Sequence, residues 1–309
     1  MSVLTGYRRE SRRGSERDLK PPPVAPRPIR KMVVSEFGVG LMKWTAFVLA
    51  AFCVLKPATA AETAQDRGKR VVYEALQALG GDAFLHMEDR VESGRAYSFE
   101  RGELNGLAVA RIYTRYLSHP DSAATGQIYV REREGFGKDE FQSFLFREDG
   151  GWEITFRGAQ PLPDERVANF KDSTRRNIFY ILKTRLKEPG MLFYSQGSDR
   201  WENRPVEKVE ITDADNVMVT VYFDQTSKLP VRQVFRRRNP EFKDFDTEVS
   251  LFAKYRDVGG GVQWPFDIRR DRNGDKIFEL YSDSVEINKD LKDDLFTLPA
   301  NVKMLPKAK

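Results

Sequence analysis

Beyond residue 90 apolar and polar side chains alternate with a period of two over most of the chain. Val91, Ser93, Arg95, Tyr97 and Phe99 lead to Gly102, and Leu107, Val109, Arg111 and Tyr113 run back after Asn105-Gly106. Asn-Gly between alternating runs signals a hairpin. Further strands are predicted over 126–133, 141–147 and 152–156, separated by Gly135-Phe136-Gly137 and Asp149-Gly150-Gly151. After Pro189-Gly190 the pattern is almost purely β, with runs over 191–195, 206–212, 217–223, 231–238, 247–256, 262–270 and 276–287. Short turns at 213–216, 224–228, 259–261 and Asn273-Gly274 join them. Such a series of hairpins makes an antiparallel meander.

Two stretches have the helical period instead. Val71, Val72, Ala75, Leu76 and Leu79 form one stripe that stops at Gly80-Gly81, with a short helical turn over 83–87. The second runs from Pro163-Asp164 to Pro189-Gly190. Val167, Phe170, Ile178, Ile181, Leu182 and Leu186 lie on one stripe, with Lys171, Arg175, Arg176 and Lys183 largely opposite. Read as one helix of some 24 residues, it spans roughly 36 Å, enough to cross a whole sheet. The predicted fold is mainly β with a few helices (α+β). A single curved antiparallel sheet forms an incomplete β-barrel, lidded by the long helix and the N-terminal one. A dozen strands must curl to manage their edges. Val262, Trp264, Phe266 and Ile268 alternate with Gln263, Pro265 and Asp267, and Val249, Leu251, Ala253 and Tyr255 alternate with polar residues and Phe252. Alternation of this kind fits a filled barrel and a hollow one equally.

The first 60 residues change the reading of charge and compartment. Lys43 precedes an apolar run from Trp44 to Leu55, followed by Pro57 and Ala58-Thr59-Ala60. That is the order of a cleavable signal peptide over 42–60, with cleavage near Ala60 and a destination outside the cytoplasm. The run is short of the roughly 20 residues a spanning helix needs; read from Phe37 to Leu55 it reaches 19 residues with Lys43 inside it, and an uncleaved signal anchor is the alternative. Residues 1–41 are an Arg/Pro-rich extension whose composition favours disorder, and Met42 is the start that the leader favours. Residues 61–309 then form a single domain.

The first 60 residues hold eleven Lys/Arg and four Asp/Glu, so a chain of net charge +5 leaves a mature part of −2. The overall basicity therefore gives no case for a nucleic-acid partner. The sole cysteine, Cys53, also leaves with the leader, which removes disulfide and thiolate chemistry. His86 and His119 stand in no metal-ligating spacing. Asp271–Asp275 departs from a calcium loop and reads as a hairpin turn. No nucleophile elbow and no paired-acid signature is found. The expectation is a protein without cofactor, metal or catalytic residues. Arg236-Arg237-Arg238 is the densest basic cluster of the mature part, with Glu241, Asp244, Asp246 and Glu248 placed to neutralise it across the next hairpin.

One resemblance adds a function. Asp224-Gln225-Thr226-Ser227-Lys228-Leu229-Pro230-Val231-Arg232 resembles a strand–turn–strand of outer-membrane lipoprotein-sorting proteins. Tyr255-Arg256-Asp257-Val258 with Gly260-Gly261-Val262 and Pro265, and Ile287-Asn288 with Phe296-Thr297-Leu298-Pro299, are similar to later motifs of the same proteins, as is Ala78-Leu79-Gly80-Gly81. These are turn and packing motifs. The superfamily is that of the LolA-like periplasmic lipoprotein carrier, whose half-barrel is lidded by helices and holds acyl chains. The resemblance implies the hollow version of the architecture and a monomeric carrier of lipid or lipoprotein acyl chains, with envelope membrane proteins as partners for loading and release. The residues that would line such a cavity are Val249, Leu251, Tyr255, Trp264, Phe266, Ile268, Phe278 and Leu280 on strands, and Phe170, Ile178, Ile181 and Leu182 on the lid. An envelope sensor or scaffold that binds another protein through the same fold is the alternative.

Overall fold

Helix α1 (Ala64–Ala78) starts where the Thr63 hydroxyl accepts the Asp66 N–H, and it buries Val71, Val72, Ala75 and Leu76. The structure, a computed structural model, describes residues 61–118, 127–239 and 244–307. The extension, the leader with Cys53, His119 and Glu241 lie outside the described residues. After α1 come α2 (Asp82–Leu85) and six strands: β1 (Asp89–Glu100), β2 (Glu103–Tyr116), β3 (Val130–Phe136), β4 (Gln142–Arg147), β5 (Gly150–Thr155) and β6 (Gly158–Pro161). Helix α3 (Asp164–Arg176), a short turn α4 (Ile178–Tyr180) and a π-helical stretch (Ile181–Arg185) lead to the second series. That series is β7 (Leu192–Trp201), β8 (Arg204–Thr212), β9 (Met218–Asp224), β10 (Pro230–Arg238), β11 (Phe245–Asp257), β12 (Gln263–Arg272) and β13 (Asp275–Ile287).

All thirteen strands join one antiparallel sheet in the order β6-β5-β4-β3-β2-β1-β13-β12-β11-β10-β9-β8-β7. The chain therefore starts in the middle of the sheet and meanders out to β6. It then crosses to the far edge at β7 and meanders back until β13 pairs with β1. The crossover is the segment from Leu162 to Met191. It has to traverse the sheet, so topology alone sets α3 and its continuation over one face.

Curvature follows from what that segment touches. The Tyr180 hydroxyl accepts the Tyr129 N–H beside β3, and the Ile178 N–H donates to Gln233 Oε1 on β10, both at 2.8 Å. In sheet order β3 and β10 are six spacings apart, roughly 29 Å on a flat sheet at about 4.8 Å each. Two residues separated by one position can reach both only if the sheet curls around them. The sheet stays open. The β6 edge is covered by the C-terminal tail, where Ala159 donates to Lys303 O and accepts from Leu305 N.

Two expectations need correction. Asn105-Gly106 is not the β1–β2 turn. Arg101 (φ 51°) and Gly102 (φ 80°) make it, and Asn105 falls where the ladder slips between Ser98 and Phe99. The lid is also not one 24-residue helix: α3 ends at Arg176, and the extended Asn177 separates it from α4.

Helix α1 packs on β7 and β8 closely enough that a Cβ at Gly68 would lie 2.6 Å from Phe193 O and 2.8 Å from Ser195 N. Alanine gains about 1 kcal/mol of helix propensity over glycine, but the obstacle is backbone and cannot rotate away. Gly68→Ala is expected to destabilise the fold by about 1–3 kcal/mol as an overpacking change, read from urea unfolding. Unchanged stability would mean that α1 is not seated in this way.

Candidate functional site

The face that the crossover covers is the candidate site, and one residue decides how it is covered. Asn177 adopts an extended conformation (φ −64°, ψ 125°), and its side-chain oxygen accepts the N–H groups of Phe179 and Tyr180. Asparagine is a favoured N-cap, so the stripe that reads as continuous stops and restarts here. Helix α3 stays high: none of its side chains is fully buried. Phe170 stacks on Phe146 with centroids 3.9 Å apart, Arg166 lies over the Phe144 ring, and Arg176 donates to Arg236 O. It thus runs as a strap from β4 to β10. Past the break the chain dives, and Ile178, Phe179, Tyr180, Ile181 and Leu182 are all buried.

Polar clasps hold this dive. Arg185, itself buried, donates to Asp213 Oδ2 (2.8 Å), Glu188 (2.9 Å) and Arg175 O (2.7 Å). Asp213 also takes Arg175 (3.0 Å) and the N–H groups of Asp215 and Val217. Burial, the largest single influence, pushes the Asp213 carboxyl up, but the hydrogen bonds from Arg185 and the Val217 N–H and the charges of Arg185 and Arg175 together outweigh it and leave the group below its ordinary value. Lys183 donates to the carbonyls of Phe84 and Leu85, and burial lowers its pKa to about 8. The π-helical winding of 181–185 is what a helix adopts where an extra residue must be accommodated, commonly at functional positions.

Beneath the dive lies an apolar surface. Phe179 packs edge-on against Phe252 (5.0 Å) and beside Trp264 (4.8 Å) and Tyr255 (6.5 Å). Ile178, Ile181, Leu182, Trp264 and Phe266 belong to the same core, with Tyr255 and Ile268 packed on it. Leu280, Phe278 and Ile268 continue it as a second cluster with Ala96 and Ala110, and Phe170 sits on a third with Val130 and Tyr180. Ten of the twelve anticipated lining residues are thus brought to one side of the sheet. Val249 and Leu251 are not. Leu251 pairs with Arg232 and Arg269, and Val249 with Val234 and Asp271, whereas the neighbouring Phe252 meets Phe179. The parity misleads because Lys254 takes a left-handed conformation (φ 55°), which lets Phe252 and Tyr255, three positions apart, reach the same ring. Ile178, Ile181 and Leu182 are themselves buried in this core. Two open recesses exist elsewhere. One of about 230 Å³ is lined by Arg67, Arg70, Glu74, Glu207 and Lys228, and one of about 590 Å³ by Phe141, Glu153, Phe156, Leu305 and Pro306.

A charged row adjoins the apolar surface, and the sequence reading misses it. Arg90, whose guanidinium stacks 4.2 Å from the Trp264 ring, bonds Glu92 and Thr114. Ser282 donates to Glu92, and Thr114 donates to Glu132. Glu134 lies on the same face of β3, two residues on. Burial first, and then the adjacent Glu132 charge, push Glu134 up to about 7, against the pull of Arg270 and Arg166. The missed signal is Arg131-Glu132-Arg133-Glu134: on a strand this alternation puts both acids on one side. Elsewhere Arg237, from the basic cluster, is held by Glu248 and Asp172. His86 is exposed at the end of α2 with Nδ1 beside Asp82 O. Among the described residues no group of three or more His, Cys, Asp or Glu could hold a metal ion, and no helix is long and apolar enough to cross a membrane.

No family model matches the sequence, and no curated protein matches it. Solved structures do. A putative outer membrane lipoprotein-sorting protein domain from Vibrio parahaemolyticus superposes with a TM-score of 0.50 at 11% identity, covering 75% of this chain and 97% of that one. A DUF1329 family protein from Desulfovibrio piger gives 0.51 at 10% identity, over 76% and 98%. A LolA superfamily protein from Nitrosomonas europaea gives 0.45 at 12%, over 74% and 97%. At such identities the likeness is one of fold, and it coincides with the open, helix-covered antiparallel sheet described above: the chain has a LolA-like fold.

Proposed function

We propose that the protein is a periplasmic binding protein that shelters an acyl chain of a lipid or lipoprotein on the concave apolar face, with residues 178–185 as a displaceable plug. The observation that carries this reading is the plug itself. A large apolar face is covered by a handful of aliphatic and aromatic side chains on a broken, π-wound segment, when a regular helix packed on it would have been the simpler solution. An acyl chain offers the same chemistry as Ile178, Phe179, Ile181 and Leu182, with about 0.8 kcal/mol gained per buried CH₂. Trp264 supports the reading further: its indole N–H is buried without an acceptor, and it could donate to an acyl carbonyl. The charged row beyond Arg90 suits the polar end of an amphiphile.

Titration with a fluorescent fatty acid, together with native mass spectrometry of protein purified from its own envelope, tests this. Saturable binding and a co-purifying lipid are expected. Trp264→Glu should weaken binding at least tenfold, whereas Val249→Glu, on the opposite face, should leave it unchanged. A folded wild-type protein that binds no fatty acid and carries no lipid would favour the sensor or scaffold reading instead.

A further inference from the structure

Alternate connections of the meander fall on the same rim of the sheet. One rim carries the turns β1–β2, β3–β4, β5–β6, β8–β9, β10–β11 and β12–β13, together with the start of β7. Nine of the eleven large apolar side chains exposed among the described residues lie at or toward this rim; the other two are Tyr73 on α1 and Met304 in the tail. At the turns themselves they are Leu104, Phe141 (65% exposed), Phe156 (88%), Met218 and Phe245. Turn tips are ordinarily polar, and scattered apolar exposure would be divided between both rims. Here it is one-sided.

The cations at the tips have a matching arrangement. Arg157 lies over the ring of Phe156 (5.4 Å) and Arg236 over that of Phe245 (4.7 Å), and neither has a carboxylate partner among the described residues. Lys276 lies over Phe99, at the end of β1 on the same rim (4.9 Å). Lys276 is paired with Glu279 at 2.6 Å, whereas at Phe156–Arg157 and Phe245–Arg236 the ring and the charge are both exposed. That pairing fits the boundary of a bilayer, where aromatic residues sit at headgroup level and Arg or Lys meets phosphate. The open recess between Phe141, Phe156 and Leu305 lies on the same rim, so contact there would not have to displace packed core.

We infer that this rim docks the protein onto a lipid bilayer bearing anionic phosphate headgroups, with Phe156, Phe141 and Phe245 entering the interface and Arg157 and Arg236 contacting phosphate. The inference holds whether or not the concave face carries an acyl chain, and its test uses no fatty-acid titration.

The test uses the full chain with vesicles of phosphatidylethanolamine and phosphatidylglycerol, and with phosphatidylcholine vesicles. Because the apolar run at 44–55 could itself bind lipid, the readout is local to the rim. Phe156→Trp should gain blue-shifted fluorescence over the parent chain with the anionic vesicles, quenched by lipids brominated in the acyl chain. The shift should be several-fold smaller with phosphatidylcholine. In flotation, the triple variant Phe141→Ser, Phe156→Ser, Phe245→Ser should associate at least tenfold less than Tyr73→Ser at equal thermal stability. An unshifted, unquenched Phe156→Trp overturns the proposal. So does a rim buried in a dimer by sedimentation with no vesicle-dependent signal.

Discussion

Asp213→Ala should lose about 3 kcal/mol of stability and lower the melting temperature by roughly 5–10 °C. The loss does not come from a missing attraction on the surface. Arg185 is only 4% exposed, and Asp213 is the carboxylate that meets it in the interior. Removing one partner leaves a buried guanidinium short of its counter-charge, which costs more than the pair itself contributes. Glu188 remains 2.9 Å away, so the effect falls at the lower end of the range for broken buried pairs. The pH dependence has a definite sign. Asp213 is held below its ordinary value of 3.8, so its contribution is present above that value and fades as pH falls through the lowered one. Wild type and variant should therefore differ by the full amount above about pH 4 and converge as the solution is made more acid. Arg185 also clasps the buried segment, so the variant should admit a fluorescent fatty acid faster than wild type while it remains folded. A melting temperature equal to wild type at neutral pH would show that the clasp carries no weight.

The strand ladder was legible because period-two alternation is a direct consequence of a half-buried sheet. Twelve of the thirteen strands lie at or close to their anticipated positions. The exception, β6, is four residues of Gly-Ala-Gln-Pro with little alternation to read. β7 extends six residues past its expected end because Gly197-Ser198-Asp199 gives no strand signal, yet its backbone pairs with β8. Three local backbone events escaped the pattern. A positive φ at Lys254 swaps the parity of β11, the Arg101-Gly102 turn pre-empts Asn105-Gly106, and the extended Asn177 cuts the long helical stripe. Each is confined to one or two residues whose backbone departs from that of the surrounding element, which hydrophobic periodicity does not register. The acidic pair was hidden for a different reason. Alternating Arg and Glu on a strand normally mean two solvated faces, and only the curl of the sheet turns one of them inward.

That inward pair leads to a second large effect, of opposite sign. Glu134→Gln should stabilise the protein at pH 8 by about 2 kcal/mol and leave it unchanged at pH 4. The carboxyl has its pKa raised from 4.5 to about 7 by burial and by the charge of Glu132, so its ionised form is the costly one. A raised folded-state value means that the favourable contribution of the protonated group is complete below pH 4.5 and is lost as pH rises through 7. At 1.36 kcal/mol per pKa unit the full shift corresponds to about 3 kcal/mol, and partial solvent contact of the side chain reduces that to about 2. Glutamine is neutral at every pH and keeps a donor for Glu132. Glu132→Gln should behave differently, because its carboxylate is one of the charges that offset the buried Arg90; that variant gives up this pairing and gains less. The measurement is a pair of melting curves across pH 4 to 8, and a constant offset between them would refute the assignment. With the expected divergence, the wild-type chain keeps an acid titrating near neutrality beside an apolar face, at a standing cost in stability. On the binding role proposed above, that acid is the group whose protonation a bound polar headgroup would change, so the same pH series run with ligand would report on it.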